Sequence, residues 1–353
     1  MKEINLALVG ASGLVGMQFL KVLEQRGHNI KNLYLLASPA SAGRKLSFNN
    51  KEYVIEAVGE QSFDKDIDYC FFCADNETSE KYAPIAAKKG CVVIDNSSHF
   101  RMDTTVPLVV PEINAHAIKN HKNIIANPNC TTIQATMVLA PLAKQYGLKR
   151  VVISTYQAVS GAGKEALGDL LTGYAKLSWQ TQRINDTLTD PNHVKDTIDI
   201  LNPRHHYELK AFSNYIANNI LPFIGEETQN GYTTEEIKII NETKKILELP
   251  NLAITATAVR VPVIHAHSES VNAELESEYE LDSLIKLLDS SPGVAVTQNI
   301  STLKAAGNDT VFVGRIRKDP SANGIDMFIV ADNLRKGAAT NGVQIMELLI
   351  RAN

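Results

Sequence analysis

Cysteine is scarce in this chain. Four occur in 353 residues, at Cys70, Cys73, Cys91 and Cys130. That excludes a disulfide-stapled secreted scaffold and suits free thiols in a reducing compartment. No apolar run approaches the ~20 residues that a membrane-spanning helix needs, so no membrane partner is expected. Basic excess is missing too: 35 Lys and Arg stand against 39 Asp and Glu, a net charge of −4. With no cationic stripe, a nucleic-acid partner is not expected either. No signal-peptide pattern precedes the strand-like run that opens at Ile4, so a cytoplasmic location is expected. Heptads, internal repeats and low-complexity tracts are absent. What remains is an ordinary soluble balance, 44% hydrophobic and 21% charged, over a length that allows two domains.

One stretch organises the rest: Asn127-Pro128-Asn129-Cys130-Thr131-Thr132. The apolar run at residues 123–126 reads as a strand. Beyond Cys130, the spacing of Ile133, Met137 and Ala140 reads as a helix. Cys130 therefore belongs at a strand-to-helix corner. Unpaired N–H groups and the positive end of the helix dipole there favour a thiolate. A free cysteine is also a common small core residue. A partner elsewhere in the chain must decide between the two.

The chain opens with a strand at residues 4–9, a Gly10-Ala11-Ser12-Gly13-Leu14-Val15-Gly16 turn and a helix that stops at Gly27. Gly10 suits the tight turn, Gly13 a close approach of pyrophosphate and Gly16 helix-on-strand packing, which together predict a dinucleotide site. After the second strand, an NAD site wants a carboxylate for the ribose. The sequence instead offers Ser38, Ser41, Arg44 and Lys45, a set suited to the 2′-phosphate of NADP. Residues 53–57 suggest a third strand and residues 67–73 a buried one. On that strand Cys70 and Cys73 would point to opposite faces and so cannot form a metal pair; both, and Cys91, read as core. Strands alternating with helices predict a parallel, doubly wound sheet. Its strand ends gather Asn96, Arg101 and Cys130, and Arg101 is a fork for phosphate or carboxylate, or else a plain surface arginine.

Past residue 140 the pattern changes. A strand at residues 151–159 leads into Ser160-Gly161-Ala162-Gly163, with Gln157 able to orient a reactant. Residues 168–230 read as polar and loop-rich. His193, His205 and His206 there lack metal spacing and read as surface; no metal is expected. Thr233 and Glu236 have capping-box spacing at the head of a helix. Glu235 and Lys238 then share one helix face, as a surface ion pair or as a grip on a charged substrate. Residues 252–264 and 271–275 read as successive strands of an antiparallel element, with Arg260 on the first. His265 and His267 lie between, and either could pair with Cys130 as base. Strands at residues 309–316 and 324–331 precede a closing helix at residues 343–350. Leu334, Gly337, Ala338 and Asn341 share a face, and the small residues among them allow close packing on a cofactor or on the first domain.

Taken together, these segments resemble the aspartate-semialdehyde dehydrogenase family. The resemblance rests on the Gly10/Gly13/Gly16 loop, Ser38-x-x-Ser41-Ala42-Gly43, Asp95-Asn96-Ser97-Ser98-x-Phe100-Arg101 and Asn127-Pro128-Asn129-Cys130. It continues through Tyr156-Gln157-x-Val159-Ser160-Gly161-Ala162-Gly163, Glu235-x-x-Lys238, Arg260-Val261-Pro262-Val263, His267-Ser268-Glu269 and Asn333-Leu334-Arg335-Lys336-Gly337. It spans nearly the whole chain and is weakest at residues 168–202. The resemblance implies a Rossmann-type doubly wound parallel sheet, residues 1–129, completed by the C-terminal helix at 333–353. A catalytic and dimerisation domain of α+β type, with a mixed, largely antiparallel sheet, follows at 130–332. It implies Cys130 as nucleophile, His267 rather than His265 as acid/base, and Gln157 positioning the reacting group. Arg260 would bind the substrate carboxylate and Glu235 its amino group, with Asn129 beside them; Arg101 and Lys238 would hold phosphate. NADP would contact Gly10, Ser12, Gly13, Leu14, Val15, Ser38, Ser41, Arg44, Asn96, Ser160, Gly161, Gly163 and Asn333. A small-molecule substrate, 4-phospho-aspartate or aspartate semialdehyde with phosphate, and a homodimer or dimer of dimers complete the expectation. The alternatives are another acyl-phosphate reductase, of the N-acetylglutamyl-phosphate type, or a non-catalytic NADP-sensing Rossmann protein.

Overall fold

The computed structural model describes residues 3–187 and 207–352. His193, His205 and His206 lie outside them. The chain begins β1 (Ile4–Val9), α1 (Leu14–Arg26), β2 (Ile30–Ala37), β3 (Lys45–Phe48), β4 (Lys51–Val54), β5 (Glu56–Ala57) and β6 (Tyr69–Phe72). It continues with α2 (Asn76–Lys88), β7 (Val92–Asp95), α3 (Pro111–Asn114), β8 (Ile124–Ala126), α4 (Cys130–Tyr146), β9 (Leu148–Gln157) and α5 (Lys164–Thr187). Beyond residue 206 come α6 (Thr234–Ile246), β10 (Ala253–Arg260), β11 (His267–Leu275), α7 (Leu281–Asp289) and β12 (Val294–Val296). Last are α8 (Thr302–Ala305), β13 (Val311–Asp319), β14 (Gly324–Ala331) and α9 (Thr340–Ala352).

Alternation builds the first sheet. Along β1, Ile4, Leu6 and Leu8 enter one core while Ala7 and Val9 enter the other. A strand buried on both faces needs helices on both sides, the signature of a parallel sheet. Its order is β5-β2-β1-β6-β7-β8, parallel throughout. Cys70 and Cys73 of the β6 segment fall on opposite sides as the period of two requires, Cys70 in one core and Cys73 against the other. At Gly10, φ is +82° and an added Cβ would lie 2.2 Å from the Cys73 carbonyl oxygen, so only glycine fits the turn. A Cβ at Gly16 would meet the Gly10 oxygen at 2.3 Å, which is how α1 packs close to β1.

The second sheet has the order β10-β9-β11-β14-β13-β12. Its three central pairings are antiparallel and its two outer ones parallel, a mixed sheet as expected. Its strands β10 and β11 do not pair with each other: β9 lies between them, parallel to β10 and antiparallel to β11. Crossing over β9 brings the ends of all three strands to one place. Two other expectations change. Residues 53–57 divide between β4, which forms a hairpin with β3, and β5, which adds to the first sheet. From residue 168, where a loop-rich stretch was expected, the helix that begins at Lys164 continues through Thr187. The Thr233/Glu236 capping box forms, with Glu236 accepting from the Thr233 N–H at 2.7 Å.

Helix α9 returns to the first sheet. Val343, Met346 and Leu349 join the core of Leu6, Leu8, Phe19 and Phe71. Arg26 of α1 clamps Glu347 through two hydrogen bonds of 2.7 Å, and His28 adds a third at 3.0 Å.

Candidate active site

Asn129 sets the corner. Its side-chain oxygen accepts the Thr131 and Thr132 N–H groups at 2.9 and 3.4 Å, capping α4 and making Cys130 the first helical residue. Facing it, β11 begins at His267, whose Nε2 lies 3.2 Å from Cys130 Sγ. His265, two residues earlier, makes no such contact, and its Nδ1 is buried without a partner. Geometry thus separates two histidines that residue chemistry alone left open.

Helix α6 brings three charged residues to the site from one face. Glu235 accepts from Asn129 Nδ2 at 2.9 Å and from Gln157 Nε2 at 3.2 Å, and pairs with Lys238 at 3.3 Å. Glu242, two turns on, accepts the Asn129 backbone N–H at 2.6 Å and Arg101 Nη1 at 3.0 Å. The sequence reading missed Glu242. The signal was there in the 235/238/242 spacing, since i, i+3 and i+7 share a face. Arg101 is buried, not a surface residue: Nε donates to the Asn127 carbonyl at 3.0 Å and Nη2 to that of Asn96 at 2.8 Å. Arg260, the last residue of β10, donates to the Ala158 carbonyl at 2.8 Å.

Burial governs the charges. It pushes the Cys130 thiol up to about 12, helped by Glu235 and opposed by Arg101, Arg260 and the Thr131 N–H. The helix-end position thus does not make a resting thiolate; desolvation outweighs it. Burial, with Arg260 and His265 acting in the same direction, holds His267 well below its ordinary value. For Glu235, burial is overcome by Lys238 and by the Asn129 and Gln157 hydrogen bonds, so the carboxyl stays below its usual range. In Glu242 burial wins over Arg101 and raises the carboxyl. Both shifts favour a neutral thiol and a neutral imidazole.

These groups open onto a cleft of about 330 Å³. Arg101, Asn129, Cys130, Gln157, Glu235, Lys238 and Arg260 line it, with Val15 and Asn96 from the first sheet's elements and Ser160, Gly161 and Asn333 from the second's. His267 lies behind Cys130, fully buried. A larger hollow of about 530 Å³ at the far end of α4, lined by Met137, Pro141, Lys144 and Leu249 among others, contains neither Cys nor His. Gly10, Ser12, Gly13 and Leu14 form the turn into α1, outside the cleft. No side chain caps α1 and no acid stands in its first turn, so its N–H groups are open to an anion. Ser12 bonds Ser41 at 3.0 Å, tying this turn to the loop after β2, where Ser38 and Arg44 are exposed. Asn333 donates to Ser160 Oγ at 3.0 Å and accepts from the Ala266 N–H at 3.0 Å. Gly163 precedes α5. Open helix end, close-packed glycine turn and cationic loop fit a phosphorylated dinucleotide.

Residues Arg335–Ala339 form a π-helical turn ahead of α9. Such turns favour functional sites. Here it presses Gly337 onto Cys130: an added Cβ would stand 2.9 Å from Cys130 Cβ. Gly337→Ala is expected to displace Cys130 and slow its reaction with iodoacetamide about tenfold or more, with an unchanged circular-dichroism spectrum. Wild-type alkylation would show that the contact is slack.

Comparison with known proteins agrees. The family model for the semialdehyde dehydrogenase NAD-binding domain matches residues 5–121, and that for the semialdehyde dehydrogenase dimerisation domain matches residues 139–336. The chain is 45% identical to the aspartate-semialdehyde dehydrogenase of Aquifex aeolicus over 98% of both chains. It is 43% identical to that of Bacillus subtilis over 100% of this chain and 99% of the relative. The crystal structure of aspartate semialdehyde dehydrogenase II from Vibrio cholerae, complexed with ASA, superposes with a TM-score of 0.89 at 40% identity over 99% of both chains. Since relatives 43–45% identical match over nearly their full length and both family models match, this chain belongs to the aspartate-semialdehyde dehydrogenase family.

Proposed function

We propose that the chain is an NADP-dependent aspartate-semialdehyde dehydrogenase. It would interconvert 4-phospho-L-aspartate and L-aspartate 4-semialdehyde through a thioacyl intermediate on Cys130, in lysine, threonine and methionine biosynthesis. The observation that carries this reading is the Cys130–His267 contact of 3.2 Å beside a cleft holding Glu235, Lys238, Arg101 and Arg260. A free amino acid offers an ammonium and a carboxylate, and Glu235 and Arg260 are of the opposite signs. Arg101 and Lys238 are the cations for phosphate.

In the acylation half, the sulfur of Cys130 attacks the acyl carbon and phosphate leaves. Arg101 and Lys238 offset the charge on the departing group. Gln157 orients the acyl group and Asn129 holds Glu235. His267 is the acid–base partner of the sulfur. When bound, NADPH supplies the hydride that reduces the thioester. Gly10, Ser12, Gly13, Leu14 and Val15 would hold its diphosphate, Ser38, Ser41 and Arg44 its 2′-phosphate, and Asn96, Ser160, Gly161, Gly163 and Asn333 its remainder. Residues 1–129 with 333–353 are the nucleotide half and 130–332 the catalytic, dimer-forming half. A homodimer or dimer of dimers in the cytoplasm completes the proposal.

The test is nucleotide reduction that depends on phosphate, with aspartate semialdehyde beside its one-carbon-longer and N-acetylated analogues. Aspartate semialdehyde should be preferred; turnover confined to the acetylated compound would reject the assignment. NADP should be preferred over NAD, and Arg44→Ala should raise KM for NADP about tenfold while leaving that for NAD unchanged. A wild-type preference for NAD would reject the 2′-phosphate reading.

A further inference from the structure

A second polar row lies below the Cys130–His267 contact. Side chains alternate along β11, so Glu269 follows His267 on the same face, about 7 Å further on. On α4, Gln134 stands one turn below Cys130, about 6 Å further on. Helix and strand are thus matched twice, sulfur against imidazole and then amide against carboxyl. The row after that is apolar: Val271 of β11, Ile153 opposite it on β9 and Met137 and Val138 of α4 share one core.

Glu269 and Gln134 are fully buried. Among the described residues, neither carboxyl oxygen of Glu269 nor either terminal atom of Gln134 has a hydrogen-bond partner of regular geometry. Protein interiors rarely leave such atoms unmatched. The cross-strand neighbours of Glu269, Thr155 of β9 and Ile329 of β14, bring it no charge. The titratable groups on its face are His267 and Cys130, in the row above. Burial holds its carboxyl well above the usual carboxylate range, and a hydrogen-bonding influence from Gln134 opposes that shift.

Counting donors resolves the mismatch. An ionised carboxylate only accepts, so it can use a Gln134 N–H but leaves the Gln134 oxygen without a donor. A protonated carboxyl adds one O–H. That O–H can meet the Gln134 oxygen while the other carboxyl oxygen takes the Gln134 N–H, so two reciprocal bonds use all four atoms. An unpaired charge at the same place would cost far more than this neutral pair.

We propose that Glu269 is a protonated carboxylic acid joined to Gln134 as an acid–amide pair, and that this pair fixes the register of α4 on β11 that holds the Cys130 sulfur against His267. Both are positioning residues, and neither lines the cleft. The inference rests on the acid–base role proposed above for His267. A small slide of α4 along β11 carries the sulfur out of reach of Nε2 while leaving the core filled. The neutrality of the pair also keeps negative charge away from a cysteine that has to become a thiolate.

Infrared difference spectra of wild type against Glu269→Gln at about pH 7 read the proton. The carbonyl stretch of a protonated carboxylic acid, shifted in heavy water, should vanish with the substitution. Loss of carboxylate bands alone overturns the proposal. Register is read by the rate at which iodoacetamide alkylates Cys130. Glu269→Gln and the exchange Gln134→Glu/Glu269→Gln can still form two bonds, and both should react within about threefold of wild type. Gln134→Leu/Glu269→Leu makes the row apolar; it should keep its melting midpoint yet react about tenfold slower or more. Wild-type alkylation in the leucine variant overturns the proposal, as does an exchange variant slowed about tenfold. In a His267→Ala background the leucine row should change the rate by less than about twofold, since the contact that it sets is already gone. An undiminished effect there overturns the route through His267. Alkylation uses neither nucleotide nor substrate, so a wild type that fails to turn over aspartate semialdehyde rejects the proposed function and leaves these results standing.

Discussion

Cys130→Ser should lower turnover with aspartate semialdehyde by about 10⁴-fold or more and leave nucleotide affinity within about twofold. Serine fits the space of the thiol, and the cap by Asn129 does not involve the side chain at position 130. What changes is the proposed nucleophile. A hydroxyl in a site that already holds a thiol near 12 has no route to ionisation near neutral pH, and an oxygen ester accepts hydride less readily than a thioester. Turnover assays and fluorescence titration with NADPH check the two halves of the statement. Near-wild-type rates would end the covalent route; lost nucleotide binding would show that the corner, not the chemistry, had been damaged.

The second large effect is expected at Arg101. Its guanidinium satisfies Glu242, which is fully enclosed. Arg101→Ala leaves the buried Glu242 carboxyl with only the Asn129 N–H as partner, at a cost of about 3–5 kcal/mol. The melting midpoint should fall by about 6–10 °C, and KM for phosphate should rise about tenfold or more. The double variant Arg101→Ala/Glu242→Leu separates structure from binding. It should recover part of the midpoint, since the unpaired buried carboxyl is gone, but none of the phosphate affinity. Recovery of both would mean that Arg101 touches no phosphate.

Much of this was legible in the chain. The Gly10–Gly16 turn, the alternation in β1 and β6 and the Asn129–Cys130 corner follow from local rules: permitted φ, a period of two, and capping. The opposite facing of Cys70 and Cys73 follows from the same period. Local rules did not reveal that β9 would insert between β10 and β11. Short turns suggested a hairpin there, and strand order depends on contacts between distant segments. The protonation of the dyad escaped for the same reason. A helix end argues for a thiolate at Cys130 if nothing else is known, but the enclosure that reverses it comes from β11, α6 and the π-helical turn, far away in sequence. Glu242 was readable from its spacing with Glu235 and Lys238, yet spacing alone could not say that Arg101 would meet it.

The return of α9 to the first sheet bears on how the molecule is made. On a ribosome, β1, β2 and β6 emerge early, and the apolar face carrying Leu6, Leu8 and Phe71 then awaits Val343, Met346 and Leu349 while both sheets are being translated. A nascent chain arrested before residue 340 should therefore be sensitive to protease in its opening half, although the Gly10–Gly16 turn is already synthesised.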